Sequence, residues 1–234
     1  MNDKPIVIDH FSDVLCVWAY AAQIRLDELQ REFGKHIHLN YHFVPIFSVV
    51  EQRIGEGWRN KGGYVGFSKH VQEICQQFPH VDVSPDVWRG DAPSSSANAH
   101  LFLKAVQLLE HTGEISSHGQ TSYDGHSAFE ETVWRLRQSF FRDNKNISRL
   151  ECQLALADEM ELPCDSIVGL LHDGSAMAAL CRDTDLCKEY GVTGSPSYIL
   201  NEGRQKLYGN VGYKVISANI QEVLNQPQHQ ASWC

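Results

Sequence analysis

This chain has no paired cysteine motif. Seven cysteines occur, Cys16, Cys75, Cys152, Cys164, Cys181, Cys187 and Cys234. No two of them stand in a C-x-x-C, which removes the usual spacing signatures of structural zinc and of a redox dithiol. An odd number at irregular spacing reads as free thiols, most of them small hydrophobes in a core, in a reducing compartment. Long apolar runs are also missing, and no uninterrupted stretch approaches the roughly 20 residues of a membrane span. The opening holds only Ile6-Val7-Ile8 between Lys4 and Asp9. That is too short for the core of a secretory signal and lacks a small-residue cleavage site, so the expected location is cytoplasmic. Basic charge is scarce, with 20 Lys and Arg against 29 Asp and Glu for a net −9. This argues against nucleic acid or an anionic membrane as a partner. Repeats and low-complexity tracts are absent, and 42% apolar residues suffice for a packed core.

What is present begins with a strand pattern over residues 5–11, rich in β-branched and apolar side chains. A helical pattern follows over 17–33, with Ala22, Leu26, Leu29 and Phe33 on one face and Gly34 as a stop. Residues 36–44 then alternate: Ile37, Leu39, Tyr41 and Phe43 point one way, His36, His38, Asn40 and His42 the other. Strand, helix, strand suggests a parallel βαβ unit. The middle reads as helices over 64–78, 96–111, 127–142, 148–160 and 175–190, with Ser148 and Glu151 at capping-box spacing. Strand signals return at 197–201 and 205–208 around the turn Glu202-Gly203-Arg204. A last helix is expected over 213–224, and a fraying tail over 225–234. Only a shared sheet can bury both ends of such a chain. The final hairpin must complete the sheet begun by the first two strands, with the helical block inserted.

Two segments carry chemistry. Cys16 falls at the junction of the first strand and helix, where unpaired N–H groups and the positive helix end favour a thiolate. That position predicts Cys16 to be the most acidic thiol, below the unperturbed value of about 8.5. The competing reading is a buried structural cysteine. The second segment is Gly191-Val192-Thr193-Gly194-Ser195-Pro196-Ser197-Tyr198. A proline directly before a strand is awkward for the ladder. A cis Ser195–Pro196 bond would account for it and would leave the backbone of Ser195 free to pair with an extended peptide.

With these residues in view, Ser12-Asp13-Val14-Leu15-Cys16-Val17-Trp18-Ala19-Tyr20 resembles the S-D-x-x-C-P-W-C-Y stretch of the FrnE-like branch of the DsbA family. The segment from Gly191 to Tyr198 is similar to that family's G-V-x-G-V-P-T-F loop. Ser94-Ser95-Ser96-Ala97-Asn98-Ala99-His100 and Leu136-Arg137-Gln138-Ser139-Phe140-Phe141 resemble helices of its inserted domain. The resemblance implies an α/β fold, a thioredoxin-like core with an inserted all-α helical domain. The core would comprise residues 1–47 and 175–234, and the insert residues 48–174. It also implies Cys16 as the catalytic nucleophile, Trp18, Tyr20, Ser195 and Pro196 at the substrate, and Ser12, Asp13 and Ala19 in support.

The departures bear on mechanism. Val17 replaces the family's proline, and Ala19 stands where the second, resolving cysteine belongs. Without it no C-x-x-C disulfide can form. The expected activity is that of a monothiol thiol-disulfide oxidoreductase on a disulfide-containing peptide or small thiol substrate. The mixed disulfide would be resolved by an external thiol, with glutathione a possible co-substrate and no tightly bound cofactor. Kappa-class glutathione transferases and hydroxychromene-carboxylate isomerases share this fold and use one residue at the Cys16 position. Their Gly-x-Asp-Arg-like stretch corresponds here to Gly209-Asn210-Val211-Gly212, which lacks both the acid and the arginine. A third alternative is a non-catalytic binding module on the same fold. Nothing in the spacing singles out Cys181, Cys187 or Cys234 as a resolving thiol. His36, His38 and His42 read as the polar face of a strand, with no acid or cysteine nearby to complete a metal site.

Overall fold

The computed structural model describes residues 4–117, Tyr123 and residues 125–225. Four strands form one sheet: β1 (Ile6–Ser12), β2 (Ile37–Phe43), β3 (Ser197–Leu200) and β4 (Gln205–Tyr208), in the order β2-β1-β3-β4. β1 runs parallel to β2, with His10 opposite Tyr41 and Ser12 opposite Phe43. It runs antiparallel to β3, with His10 opposite Tyr198. β3 and β4 form the closing hairpin. The strand that opens the chain is therefore central, flanked by neighbours from both ends of the chain.

Eight α-helices accompany the sheet among the described residues: α1 (Val17–Phe33), α2 (Gly63–Cys75), α3 (Ala97–His111), α4 (Ala128–Phe141), α5 (Leu150–Glu159), α6 (Cys164–His172), α7 (Ser175–Tyr190) and α8 (Tyr213–Leu224). The period-2 register divides the sheet into two faces. Ile8, Tyr198 and Leu200 share one core with Leu26 and Leu29 of α1 and Ile216 and Ile220 of α8. On the other face Phe11, Val44 and Ile199 meet Leu186, Cys187 and Tyr190 of α7. The first core continues without a break into the helical block, through Phe43, Phe102, Phe129 and Phe140.

Local expectations fail in three places. Helix α6 was not anticipated; it starts after Pro163 as N-cap, in a stretch whose single buried residue, Ile167, gives little periodic signal. Residues Glu51–Glu56 form a turn of π-helix where no element was expected. The capping box at Ser148 does not form. Ser148 turns its hydroxyl to Asn146 Oδ1 at 2.6 Å, and α5 begins after Arg149. The box forms instead at Ser127 and Glu130, where each side chain takes the other's backbone N–H and fixes the start of α4.

Candidate active site

The site is assembled where the C-terminal end of β1 turns into α1. Cys16 is the N-cap residue of α1, and its carbonyl takes the N–H groups of Ala19 and Tyr20 at 3.1 and 3.0 Å. Its thiol donates to the carbonyl of Ser195 at 3.2 Å. Ser195 Oγ in turn accepts the Asp13 N–H at 2.8 Å. The Ser195–Pro196 peptide bond is cis. The two segments singled out in the sequence, nearly 180 residues apart, therefore meet through two hydrogen bonds.

The site is closed. Cys16 is only 7% exposed and Ser195 9%. The Ser195 carbonyl, expected to be free for a peptide, is occupied by the thiol itself. Burial pushes the Cys16 thiol above its ordinary value, and the Asp13 carboxylate pushes the same way. The hydrogen bond to Ser195 and the N–H groups of Ala19 and Trp18 oppose this without prevailing. The expectation that Cys16 is the most acidic thiol is therefore corrected: the helix start does act on the sulfur, but desolvation outweighs it. Ala19 is buried one turn along α1, and its methyl group stands where a partner thiol would have to sit.

Asp13 is the hub. Its Oδ1 accepts the Leu15 N–H at 2.8 Å, and its Oδ2 accepts the Phe47 N–H and the Ser96 hydroxyl, both at 2.8 Å. His100 approaches Oδ1 at 3.5 Å, and its Nε2 accepts the Val14 N–H at 3.1 Å. These contacts, with His100 foremost, hold the fully buried carboxyl below its usual range despite desolvation. One side chain thus ties the cysteine loop to the segment after β2 and to the start of α3.

The remaining expected residues divide. Trp18 is half-buried and lies edge-on to Phe78 at 6.4 Å, close to the thiol in sequence and open to solvent on one side. Tyr20, expected at the substrate, is corrected to a core residue. It is 1% exposed, stacked on Phe141 at 4.8 Å, and donates its hydroxyl to the Asp82 carbonyl. Ser12 is buried at the end of β1, where its hydroxyl accepts from Arg137 Nη2 at 3.0 Å. His42 also departs from expectation, because acids do stand beside it: Asp9 at 3.0 Å and Asp183 at 2.9 Å. Lys104 completes the network on Asp183.

Three residues were not found by sequence reasoning. Arg137 and His100 are fully buried, and each lies in the apolar stripe of its helix, Arg137 four residues after Val133 and His100 three before Leu103. A polar residue in such a stripe is the signal that could have marked them. Tyr208 is 66% exposed, and its ring lies so close over Gly194 that a Cβ there would meet it at 2.3 Å. No sequence pattern distinguishes that contact.

No family model matches the chain. Among curated proteins it is similar to the ClpXP adapter protein SpxH of Halalkalibacterium halodurans, 23% identical over 97% of this chain and 71% of the relative. Among solved structures, a protein of Nitrosomonas europaea classed provisionally as a protein disulfide isomerase superposes with a TM-score of 0.73 at 11% identity, over 95% of this chain and 99% of the other. The cytosolic disulfide reductase DsbM of Pseudomonas aeruginosa superposes with a TM-score of 0.65 at 16% identity, over 94% and 98%. The same reductase has also been solved with GSH.

Proposed function

We propose, from the premise that this chain has the DsbA-like thioredoxin fold with a helical insertion, that it is a thiol-disulfide oxidoreductase working through one cysteine. The observation that carries the reading is the meeting of Cys16 Sγ with the Ser195 carbonyl at the N-terminus of α1, with an alanine one turn further on. In this reading the Cys16 thiolate attacks one sulfur of a substrate disulfide. A mixed disulfide forms and the other substrate sulfur leaves as a thiolate. Ala19 cannot resolve it. An external thiolate attacks the substrate sulfur, takes it away as a new disulfide and returns Cys16 as thiolate. Glutathione is the external thiol we propose; the GSH complex of the P. aeruginosa reductase supports that choice. A reducing, cytoplasmic setting suits the mechanism and the six free cysteines among the described residues. No described helix is long and apolar enough to cross a membrane.

Access requires the thiol to leave the Ser195 carbonyl, and the half-buried Trp18 and exposed Tyr208 are the side chains we place at the mouth. A second reading, a binding module without turnover, is favoured by the closed thiol and by the adapter named among the curated relatives. Intact mass after incubation with oxidised glutathione separates the two. Turnover predicts one adduct, mapped to Cys16, removed by reduced glutathione and absent from Cys16→Ala. An adduct confined to the exposed Cys181 would reject the oxidoreductase. A catalysed rate that saturates in glutathione with a non-disulfide electrophile would favour a kappa-type transferase or isomerase.

A further inference from the structure

The loop that meets the substrate in the proposed chemistry is already covered. Gly194, Ser195 and Pro196 are all buried. Each of their carbonyls has a donor from this chain. Ser197 Oγ donates to Gly194 at 2.9 Å, Cys16 Sγ to Ser195 at 3.2 Å and the Gly209 N–H to Pro196 at 2.9 Å. An extended polypeptide adds to a backbone by exchanging main-chain hydrogen bonds with it, which needs free acceptors as well as donors. When Cys16 reacts, the Ser195 carbonyl is released. The other two are not tied to the thiol and stay engaged.

The cover over Gly194 is an aromatic ring. Tyr208 ends β4 opposite Ser197. Gly209 follows with φ 83°, in the left-handed region that favours glycine, and turns the chain back to Pro196 directly after the tyrosine. The Tyr208 ring then lies across Gly194, where a Cβ would stand 2.3 Å from Cε2 and 2.5 Å from the hydroxyl oxygen. With the ring in that place, only a residue without a side chain fits beneath it. Tyr208 is 66% exposed, so the core has little need of it and its outer side faces solvent. Ring and thiol bracket one short stretch: the ring lies on Gly194, and Sγ sits on the carbonyl of the next residue. A chain paired to Ser195 at its reacting sulfur advances about 3.3–3.6 Å per residue, so on one side its next residue falls on the ring. A molecule that stops one residue from its sulfur can bend away. A polypeptide that continues in both directions cannot.

We propose that Tyr208 is a specificity-determining residue that closes the cis-proline loop to polypeptides, so that the disulfides taken by Cys16 are those of small thiols, glutathione in size. The inference deepens the oxidoreductase reading and rests on it. Cys16 gives its proton to solvent and its sulfur bonds to one sulfur of such a disulfide. The S–S bond breaks, and the other half leaves as a thiolate with the electron pair, so the exchange needs no further oxidant or reductant.

The test compares two probes that carry the same leaving group, thionitrobenzoate, on one cysteine sulfur. One is glutathione. The other is a polar, unstructured peptide of about 12 residues, roughly 40 Å when extended, with its cysteine in the middle. Release of thionitrobenzoate is followed by absorbance, each rate is divided by that of free cysteine with the same probe, and the Cys16 adduct is identified by mass. Discrimination by fit is worth about 10–200-fold, so the parent should prefer the glutathione probe by at least about tenfold. Tyr208→Ala should speed the peptide probe and cut that ratio by about tenfold, while Tyr208→Phe, which keeps the ring, should hold it. A merely structural role would slow both probes together. Should Tyr208→Ala not fold, Gly194→Ala decides. The φ of Gly194 lies outside the left-handed region, so the backbone accepts alanine, and the added methyl displaces the ring. That variant too should speed the peptide probe. Equal normalised rates in the parent, a Tyr208→Ala variant that keeps the parent's ratio, or a ratio that falls only because glutathione slows, overturns the proposal and leaves the oxidoreductase standing. Release that is no slower in Cys16→Ala rejects the oxidoreductase, and the selection with it.

Discussion

Replacing Asp13 by Asn should make the protein less stable and its cysteine more reactive. The isosteric change keeps one oxygen and puts an N–H₂ where the other stood. If the remaining oxygen stays on Leu15, the Phe47 N–H, now 2.8 Å from an acceptor, faces a donor instead, while the Ser96 hydroxyl, also at 2.8 Å, must turn round and accept. One hydrogen bond to a buried charge is lost and a second is exchanged for a neutral one, at about 2–4 kcal/mol together. For a chain of this size each kcal/mol moves Tm by about 2–4 °C, which places the loss on the order of 10 °C by differential scanning fluorimetry or calorimetry. The acid limb should change as well. Because the folded pKa of Asp13 is lowered, its contribution is fully present above the unfolded value and is lost as pH falls through the folded one. The variant should lack that part of the acid decline. The thiol should respond the other way. The Asp13 charge disfavours a thiolate at Cys16, so its removal should lower the Cys16 pKa and speed alkylation at neutral pH. A Tm within about 3 °C of the parent would refute the hub role of the carboxylate. Slower alkylation in a folded variant would refute the electrostatic account of the site.

Two further perturbations follow from the same geometry. Ala19→Cys should form a disulfide with Cys16 on oxidation, seen as a loss of two hydrogens and a cross-linked peptide, and should raise insulin reduction with dithiothreitol above the parent. Extra volume at a buried position costs about 1–3 kcal/mol, of which closing the short loop offsets about 2, so a new cysteine that stays free while Cys16 still forms adducts would count against the shared helix face. His10→Phe should flatten the acid side of the stability profile. A buried neutral histidine with a pKa of about 3 binds its proton only on unfolding, so the parent should lose about 1.4 kcal/mol per pH unit below roughly 6.5 and keep full stability above it. An unchanged slope in urea melts between pH 4 and 6 would contradict this.

The sheet was legible because its strands obey local rules. The alternation Ile37, Leu39, Tyr41, Phe43 places Ile37, Tyr41 and Phe43 in the core and leaves His38 exposed. The joining of the final hairpin to the first strands followed from burial alone. The meeting of Cys16 and Ser195 was legible only through the family resemblance, since no local pattern encodes a contact across most of the chain. The charge state of the thiol was not legible. The helix start is written in the sequence, but the burial that outweighs it depends on parts of the chain distant in sequence, the Ser195 loop among them. Tyr20 was misplaced for the same reason: whether an aromatic in the first turn faces a groove or Phe141 depends on where α4 lies. Helix α6 and the π-turn at Glu51–Glu56 lack the long apolar stripe that makes periodicity readable.

The central position of β1 has a consequence for synthesis. Its parallel neighbour, β2, is complete at Phe43, but its antiparallel neighbour spans Ser197–Leu200. At about 5–20 residues per second, some 8–30 s separate the two on the ribosome. Through that interval β1 presents an unpaired edge and the cysteine loop lacks Ser195, while the helices from α2 to α7 emerge and can gather around Phe102, Phe129 and Phe140. Cys16 is thus made 179 residues before Ser195, and it cannot be enclosed until that residue has emerged. Until then Cys16 is an open thiol on a nascent chain, with none of the burial that governs it in the finished protein.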